Sequence, residues 1–202
     1  MKERLIEFWR SKGMDEKLID AFRKVPRESF IGRADVELAY ADHPLEIGEG
    51  QTISQPTTIM LMLQALELKK GDKVLEVGAG SGYNSALIAQ LASKVYTIEY
   101  NERLTRFAQE NLEKLEIENV EVIKGDGSQG YPKEAPYDKI IVTAAAPQVP
   151  WPLIEQLKEG GIMVIPVGEY TQKMIRARKD GDVSYEELGY FQFVPLQGKY
   201  GF

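Results

Sequence analysis

Apolar positions recur at helical intervals near the start of the chain and in strand-like runs after it. Leu5, Ile6, Phe8 and Trp9 fall on one face of a short helix. Leu18, Ile19, Phe22 and Val25 repeat that spacing until Pro26, which has no N–H with which to continue a helix. From Pro26 to Gln51 the sequence is turn-rich and irregular. From Lys73 short apolar runs alternate with amphipathic ones. "KVLEVG", "KVYTIEY", "NVEVIKGD", "DKIIVTAA" and "IMVIPVG" predict strands, while "YNSALIAQLA", "NERLTRFAQENLEKL" and "PWPLIEQLKEGG" predict helices. Asn101 suits the N-cap of the second helix, and Gly ends the third. Beyond Gly168, "QKMIRARKDGDVSYEELGYFQFVPL" predicts two strands about the turn "KDGD".

Strands separated by helices imply parallel βαβ units with right-handed crossovers. The expected fold is α/β: a doubly wound, mostly parallel sheet with an N-terminal helical cap and a C-terminal antiparallel hairpin. The 202 residues, 43% of them hydrophobic, suit a single domain. Within it, 1–56 is the helical cap and acceptor-side segment, 57–168 the βα core, and 169–202 the closing antiparallel strands.

Composition narrows the chemistry. A net charge of −6 disfavours a nucleic-acid partner, because phosphate neutralisation needs a basic face. With no Cys there is no disulfide, thiolate metal site or Cys nucleophile, and a lone His43 leaves neither a Ser–His–Asp triad nor a His-based metal site. The first residues, "MKERLIEFWRSKG", carry charges throughout and do not read as a signal peptide. No run approaches the roughly 20 apolar residues that span a bilayer. A cytoplasmic protein without a membrane partner, metal-free and monomeric, is the expectation.

The chemistry centres on "VLEVGAGSGYN". Gly78, Gly80 and Gly82 stand where a strand turns into a helix, and glycines there let a ligand approach the backbone. The spacing is not the G-x-G-x-x-G of a dinucleotide site, and no G-K-[ST] follows as in a Walker-A loop. Glu76, Glu99 and Asp126 fall at the carboxyl ends of three predicted neighbouring strands, where they would repel a phosphate. They suit a cationic ligand with a ribose, and S-adenosylmethionine fits that description. Glu99 lies 21 residues after Gly78, a spacing appropriate to an acidic ribose binder.

At this point the chain resembles the protein-L-isoaspartate (D-aspartate) O-methyltransferase family. The likeness is carried by "YADHPLEIGEGQTISQP", "VLEVGAGSGYNSALIA", "VYTIEYN", "GDGSQGY", "APYDKIIVTAAAPQVPWPLIEQLKEGG" and "FVPLQGKYGF". It implies methyl transfer from S-adenosylmethionine, leaving S-adenosylhomocysteine, to the free carboxylate of L-isoaspartyl and D-aspartyl residues in damaged proteins and peptides, with repair through a succinimide. It implies a donor site that adds Thr52, Ile53, Ser54, Val77, Gly127 and Gln197 to the glycines and carboxylates. Ser54 would orient the acceptor carboxylate, and Val194 would touch the substrate. The chain departs from the family at Thr57, where many members have His, so a role for that His does not transfer.

Ser54 also has an ordinary reading, as the N-cap of a helix beginning near Thr57 with Pro56 in its first turn. Other acceptor classes lack their marks: "TAAAPQVP" stands where nucleic-acid amino-methyltransferases carry N/D-P-P-Y/F, and pyrimidine C5 enzymes need a Cys. The alternatives are a class I methyltransferase for another small-molecule or nucleic-acid acceptor and a non-catalytic donor-binding domain.

Overall fold

The computed structural model describes residues 1–202, the side chains of Arg33 and Ala34 excepted. Its centre is a seven-stranded sheet of order β5-β4-β3-β6-β7-β8-β9. The strands are β3 (Lys73–Val77), β4 (Lys94–Glu99), β5 (Val120–Lys124), β6 (Tyr137–Val142), β7 (Leu157–Val167), β8 (Gln172–Asp180) and β9 (Asp182–Phe191). The first five pair in parallel, whereas β8 and β9 run antiparallel, so the expected sheet and its terminal hairpin are present.

The pleat divides the core in two. Val74, Val95, Ile141, Ile162 and Val164 face one layer. That layer holds α1 (Lys2–Ser11), α2 (Glu16–Lys24), α3 (Pro56–Leu66) and α4 (Tyr83–Ala89). Leu75, Val77, Ile98, Ile140 and Val142 face the other layer with α6 (Trp151–Gln156). The N-terminal helices therefore share their core with the sheet. Trp9 and Phe22 meet edge to face at 4.7 Å, and burying each such side chain contributes roughly 1.5–3 kcal/mol.

Local details differ from the sequence expectation. The stretch 26–51 is not wholly irregular, since β1 (Leu45–Gly48) and β2 (Gln51–Ile53) form an antiparallel hairpin. Its turn is Glu49-Gly50, both at positive φ (54° and 68°), as a two-residue I′-type turn requires. Glu at the first position hides that signal.

Ser54 is not the N-cap of α3. Gln55 is the cap and Pro56 takes the first helical position. The free N–H of Thr57 donates instead to Asp42 Oδ1 at 2.9 Å. Thr57 Oγ1 donates to Asp42 Oδ2 and accepts from Trp9 Nε1, which ties α1 to the start of α3.

The third predicted helix is shorter than its pattern. α6 stops at Gln156, and "LKEGG" enters β7, with Leu157 opposite Tyr137. The segment after β9 forms no last strand. It is held by the bridge of Ala145 to Pro195 and by Gln172 of β8, whose side chain exchanges two hydrogen bonds with the Phe193 backbone.

Candidate functional site

β3 neighbours both β4 and β6, although β4 and β5 intervene between β3 and β6 in the chain. A crevice opens at such a switch point, beyond the carboxyl ends of the strands. The glycine loop leaves β3 there. Gly78 has φ 95°, and a Cβ would collide with Thr143 Oγ1 from the end of β6. That hydroxyl donates to Gly78 O at 2.8 Å, closing the loop onto β6 and leaving the loop backbone to face the cavity.

The cavity wall gathers distant segments. Thr52, Ile53 and Ser54 come from the β2 hairpin; Val77, Gly78 and Gly80 from the loop; Glu99 from β4; Gly127 from the turn after β5; and Val194 and Gln197 from the tail. Glu99 is pinned under the loop, accepting from Gly80 N–H on one oxygen (2.9 Å) and Asn101 N–H on the other (2.8 Å). Each carboxylate oxygen retains a second lone pair, enough for a vicinal diol.

Three predicted residues stand elsewhere. Glu76 points from β3 into the layer of α4, fully buried, and accepts from Asn84 Nδ2 (2.7 Å) and Ser85 Oγ. Burial pushes its carboxyl up to about 7; the hydrogen bonds from Ser85 and Asn84 oppose this, and the charge of Glu99 adds to it. Its hydrogen-bond donor Asn84 does line the cavity.

Gly82 caps α4 at φ 86°, where a Cβ would lie 3.3 Å from Ala108 O and Leu112 Cγ of α5 (Glu102–Lys114). Helix packing alone accounts for a glycine here. Asp126 spends its carboxylate on Ser128 N–H and Oγ, on Gln129 Nε2 and on Lys199 N–H. Burial alone would push its pKa up. The Lys199 and Ser128 hydrogen bonds outweigh this and hold it below the usual carboxylate range. Asp126 thereby fastens the tail that supplies Val194 and Gln197.

Other wall residues had weak sequence signals. Glu49 arrives on the hidden turn and is held by Asn101 Nδ2 (3.1 Å) and Arg103 Nη1 (2.9 Å), the latter above all drawing its pKa down. Tyr83, Asn84, Tyr100 and Thr143 also line the cavity, beside recognisable motifs but at positions that patterning does not single out.

The wall carries two carboxylates, Glu49 and Glu99, and no Lys, Arg or His among the described residues. Asn84 Oδ1 is buried with no partner among the described residues. A phosphate does not fit such a lining, whereas a sulfonium, an ammonium and a ribose do. Among the described residues no cluster of three or more His, Cys, Asp or Glu is placed to hold a metal.

This fold and this lining define a class I, S-adenosylmethionine-dependent methyltransferase. The family model described as protein-L-isoaspartate(D-aspartate) O-methyltransferase (PCMT) matches residues 1–201, and the chain belongs to that family. A protein-L-isoaspartate O-methyltransferase 2 of Archaeoglobus fulgidus is 51% identical over 207 residues, covering 100% of this chain and 94% of that one. Its counterpart in Methanosarcina mazei is 48% identical over 207 residues, covering 100% and 85%. The structure of a PCMT from Plasmodium falciparum in complex with S-adenosyl-L-homocysteine superimposes with a TM-score of 0.85 at 29% identity, covering 96% of this chain and 97% of that one. The chain is an enzyme whose methyl donor is S-adenosylmethionine.

Proposed function

We propose that the enzyme methylates the free carboxylate of L-isoaspartyl, and also D-aspartyl, residues in damaged proteins and peptides. The observation that carries this is the meeting of Ser54 and Val194 with Glu99 and the glycine loop on one base-free wall. When bound, the donor supplies an electrophilic methyl group.

The residues divide the remaining work. Glu99 takes the ribose hydroxyls, and Gly78, Gly80, Val77 and Gly127 bring backbone close to the donor. Thr52, Ile53 and Gln197 flank it, and Asn84 lies on the same wall. Ser54 Oγ, unpartnered among the described residues, donates to the acceptor carboxylate while Val194 packs against the peptide.

No general base is needed. A carboxylate with an ordinary pKa near ~4 is already ionised at pH 7. What it needs is alignment to within roughly 3–3.5 Å and partial exclusion of water. Methylation converts a poor leaving group into methanol. The neighbouring amide nitrogen then closes a succinimide unaided, losing that methanol, which begins the repair.

An acidic chain of net charge −6 supports action without a nucleic-acid partner. No helix is long and apolar enough to cross a membrane among the described residues. The reading includes a monomer that works in the cytoplasm. The 1–202 chain acts as one domain in this reading.

The test is methanol release from an isoaspartyl peptide incubated with methyl-labelled donor, beside its normal aspartyl counterpart. Release from the first and scarcely any from the second is expected. The isoaspartyl linkage shifts the carboxylate by one methylene, and misplacement by about 1 Å can cost on the order of a hundredfold. Equal labelling of both peptides sinks the reading.

A further inference from the structure

Arg27, in the short turn of 3-10 helix at Arg27–Phe30, has none of its side chain exposed. Its Nη2 donates to the carbonyl of Ser54 at 2.9 Å. Its guanidinium lies 5.1 Å from the ring centroid of Tyr83. Ser54 and Tyr83 both line the cavity, whereas Arg27 does not. Its Nε and Nη1 are buried with no acceptor, and the Tyr83 hydroxyl beside them is likewise without a partner.

No carboxylate pairs with this cation among the described residues. Burial lowers the guanidinium pKa; Tyr83 and, after it, Asp42 favour the charged form, yet the Asp42 oxygens are committed to Thr57. A guanidinium keeps its proton in such a place. An unpaired buried charge is costly, and a protein that only needed the Ser54 carbonyl held could use a neutral donor.

We propose that Arg27 is a positioning residue that makes the acceptor half of the site select an anion. It fixes the Ser54 backbone from behind and supplies the positive potential against which the acceptor carboxylate settles. This rests on the carboxylate reading of the acceptor given above.

The reaction itself says which kinetic constant Arg27 governs. A carboxylate lone pair forms the O–CH3 bond while the S–CH3 pair withdraws onto sulfur. An anion and a cation thus become a neutral ester and a neutral thioether. Charge on the acceptor is greatest before reaction and declines through the transition state, so a fixed cation favours the bound acceptor more than the chemical step. Its contribution therefore appears in KM. Once the acceptor is methylated the attraction vanishes, which helps the ester leave.

The experiment compares an isoaspartyl peptide with the same peptide bearing a carboxamide in place of the free carboxylate, a neutral isostere used as a competitive inhibitor. The wild-type enzyme should bind the acid at least about tenfold more tightly than the amide, equivalent to about 1.4 kcal/mol. Arg27→Met should raise KM for the acid by about tenfold or more, with kcat unchanged or raised, leaving the amide inhibition constant and S-adenosylhomocysteine affinity within about threefold. Arg27→Lys, which keeps the charge, should recover the acid KM to within about threefold of wild type.

A purely structural Arg27 would weaken acid and amide in parallel, and Lys would give no recovery. Either result overturns the proposal. So does a wild-type enzyme that binds both peptides alike, a comparison that needs no variant to fold. If the wild-type enzyme fails to methylate the acid at all, the acceptor assignment has failed rather than the role of Arg27.

Discussion

Ser54 stands one residue ahead of the α3 cap, which separates its chemical role from a capping role. Its Oγ has no partner among the described residues and Gln55 takes the cap. The 0.5–2 kcal/mol that loss of a Ser cap usually costs therefore does not apply. Ser54→Ala should lower kcat/KM for an isoaspartyl peptide at least about tenfold, donor affinity much less, and the melting temperature hardly at all. Steady-state kinetics beside a melting curve decide it. Wild-type kinetics would leave Ser54 without a role in the reaction.

Glu76 makes a prediction about pH. Its carboxyl titrates near 7 in the folded chain because burial favours the neutral acid, while the unfolded chain returns it to the ordinary 4.5. Between those values the folded form holds the extra proton, so this contribution to stability is complete below about pH 4.5 and lost as pH rises through about 7. Glu76→Gln, which keeps the shape and removes the titration, should flatten that part of the profile. Denaturant melts at pH 5 and pH 8 should show wild type losing on the order of 3 kcal/mol relative to the variant. Parallel losses would show that Glu76 is ionised throughout.

The helices and strands show what patterning can carry. The short apolar runs and the glycine loop marked β3, β4, β5 and β6 and placed Glu99 at a strand end, because local sterics and burial decide those features. The tail's hold on Asp126 joins residues 73 apart, and no local pattern encodes it. The Glu49-Gly50 turn is hidden for a different reason. A non-Gly residue takes positive φ there, so composition understates the hairpin that carries Thr52 and Ile53.

Gly82 was legible as a loop glycine but not as a packing glycine. Gly82→Ala must tolerate φ 86° and two contacts at 3.3 Å. It should cost about 1–3 kcal/mol of stability, with S-adenosylhomocysteine affinity per folded molecule preserved. Calorimetry on the folded fraction checks this, and a selective loss of donor binding would return Gly82 to the ligand site.

At the scale of the whole molecule, the cavity is assembled from the hairpin near residue 50, the sheet, and the tail after β9. Asp126 and Ser128 hold that tail through Lys199 N–H and Tyr200 N–H. Asp126→Ala should free it, weakening S-adenosylhomocysteine binding by roughly tenfold, about the worth of one hydrogen bond to a charged group. The melting temperature should move little, and proteolysis after Phe193 should quicken. Unchanged donor affinity would mean that Gln197 is dispensable.

The lining has one more consequence, seen by treating the cavity as a vessel for an alkylating reagent. A sulfonium donor methylates any good nucleophile that it meets. Here the wall offers it no thiol, amine or imidazole among the described residues. Burial keeps the Tyr83 phenol protonated, and the Met62 sulfur sits in a residue only 3% exposed. The Glu99 and Glu49 carboxylates are tied to backbone and side-chain donors on both oxygens. The protein stores its reagent among groups that are poor at consuming it, and so survives the wait for a damaged chain.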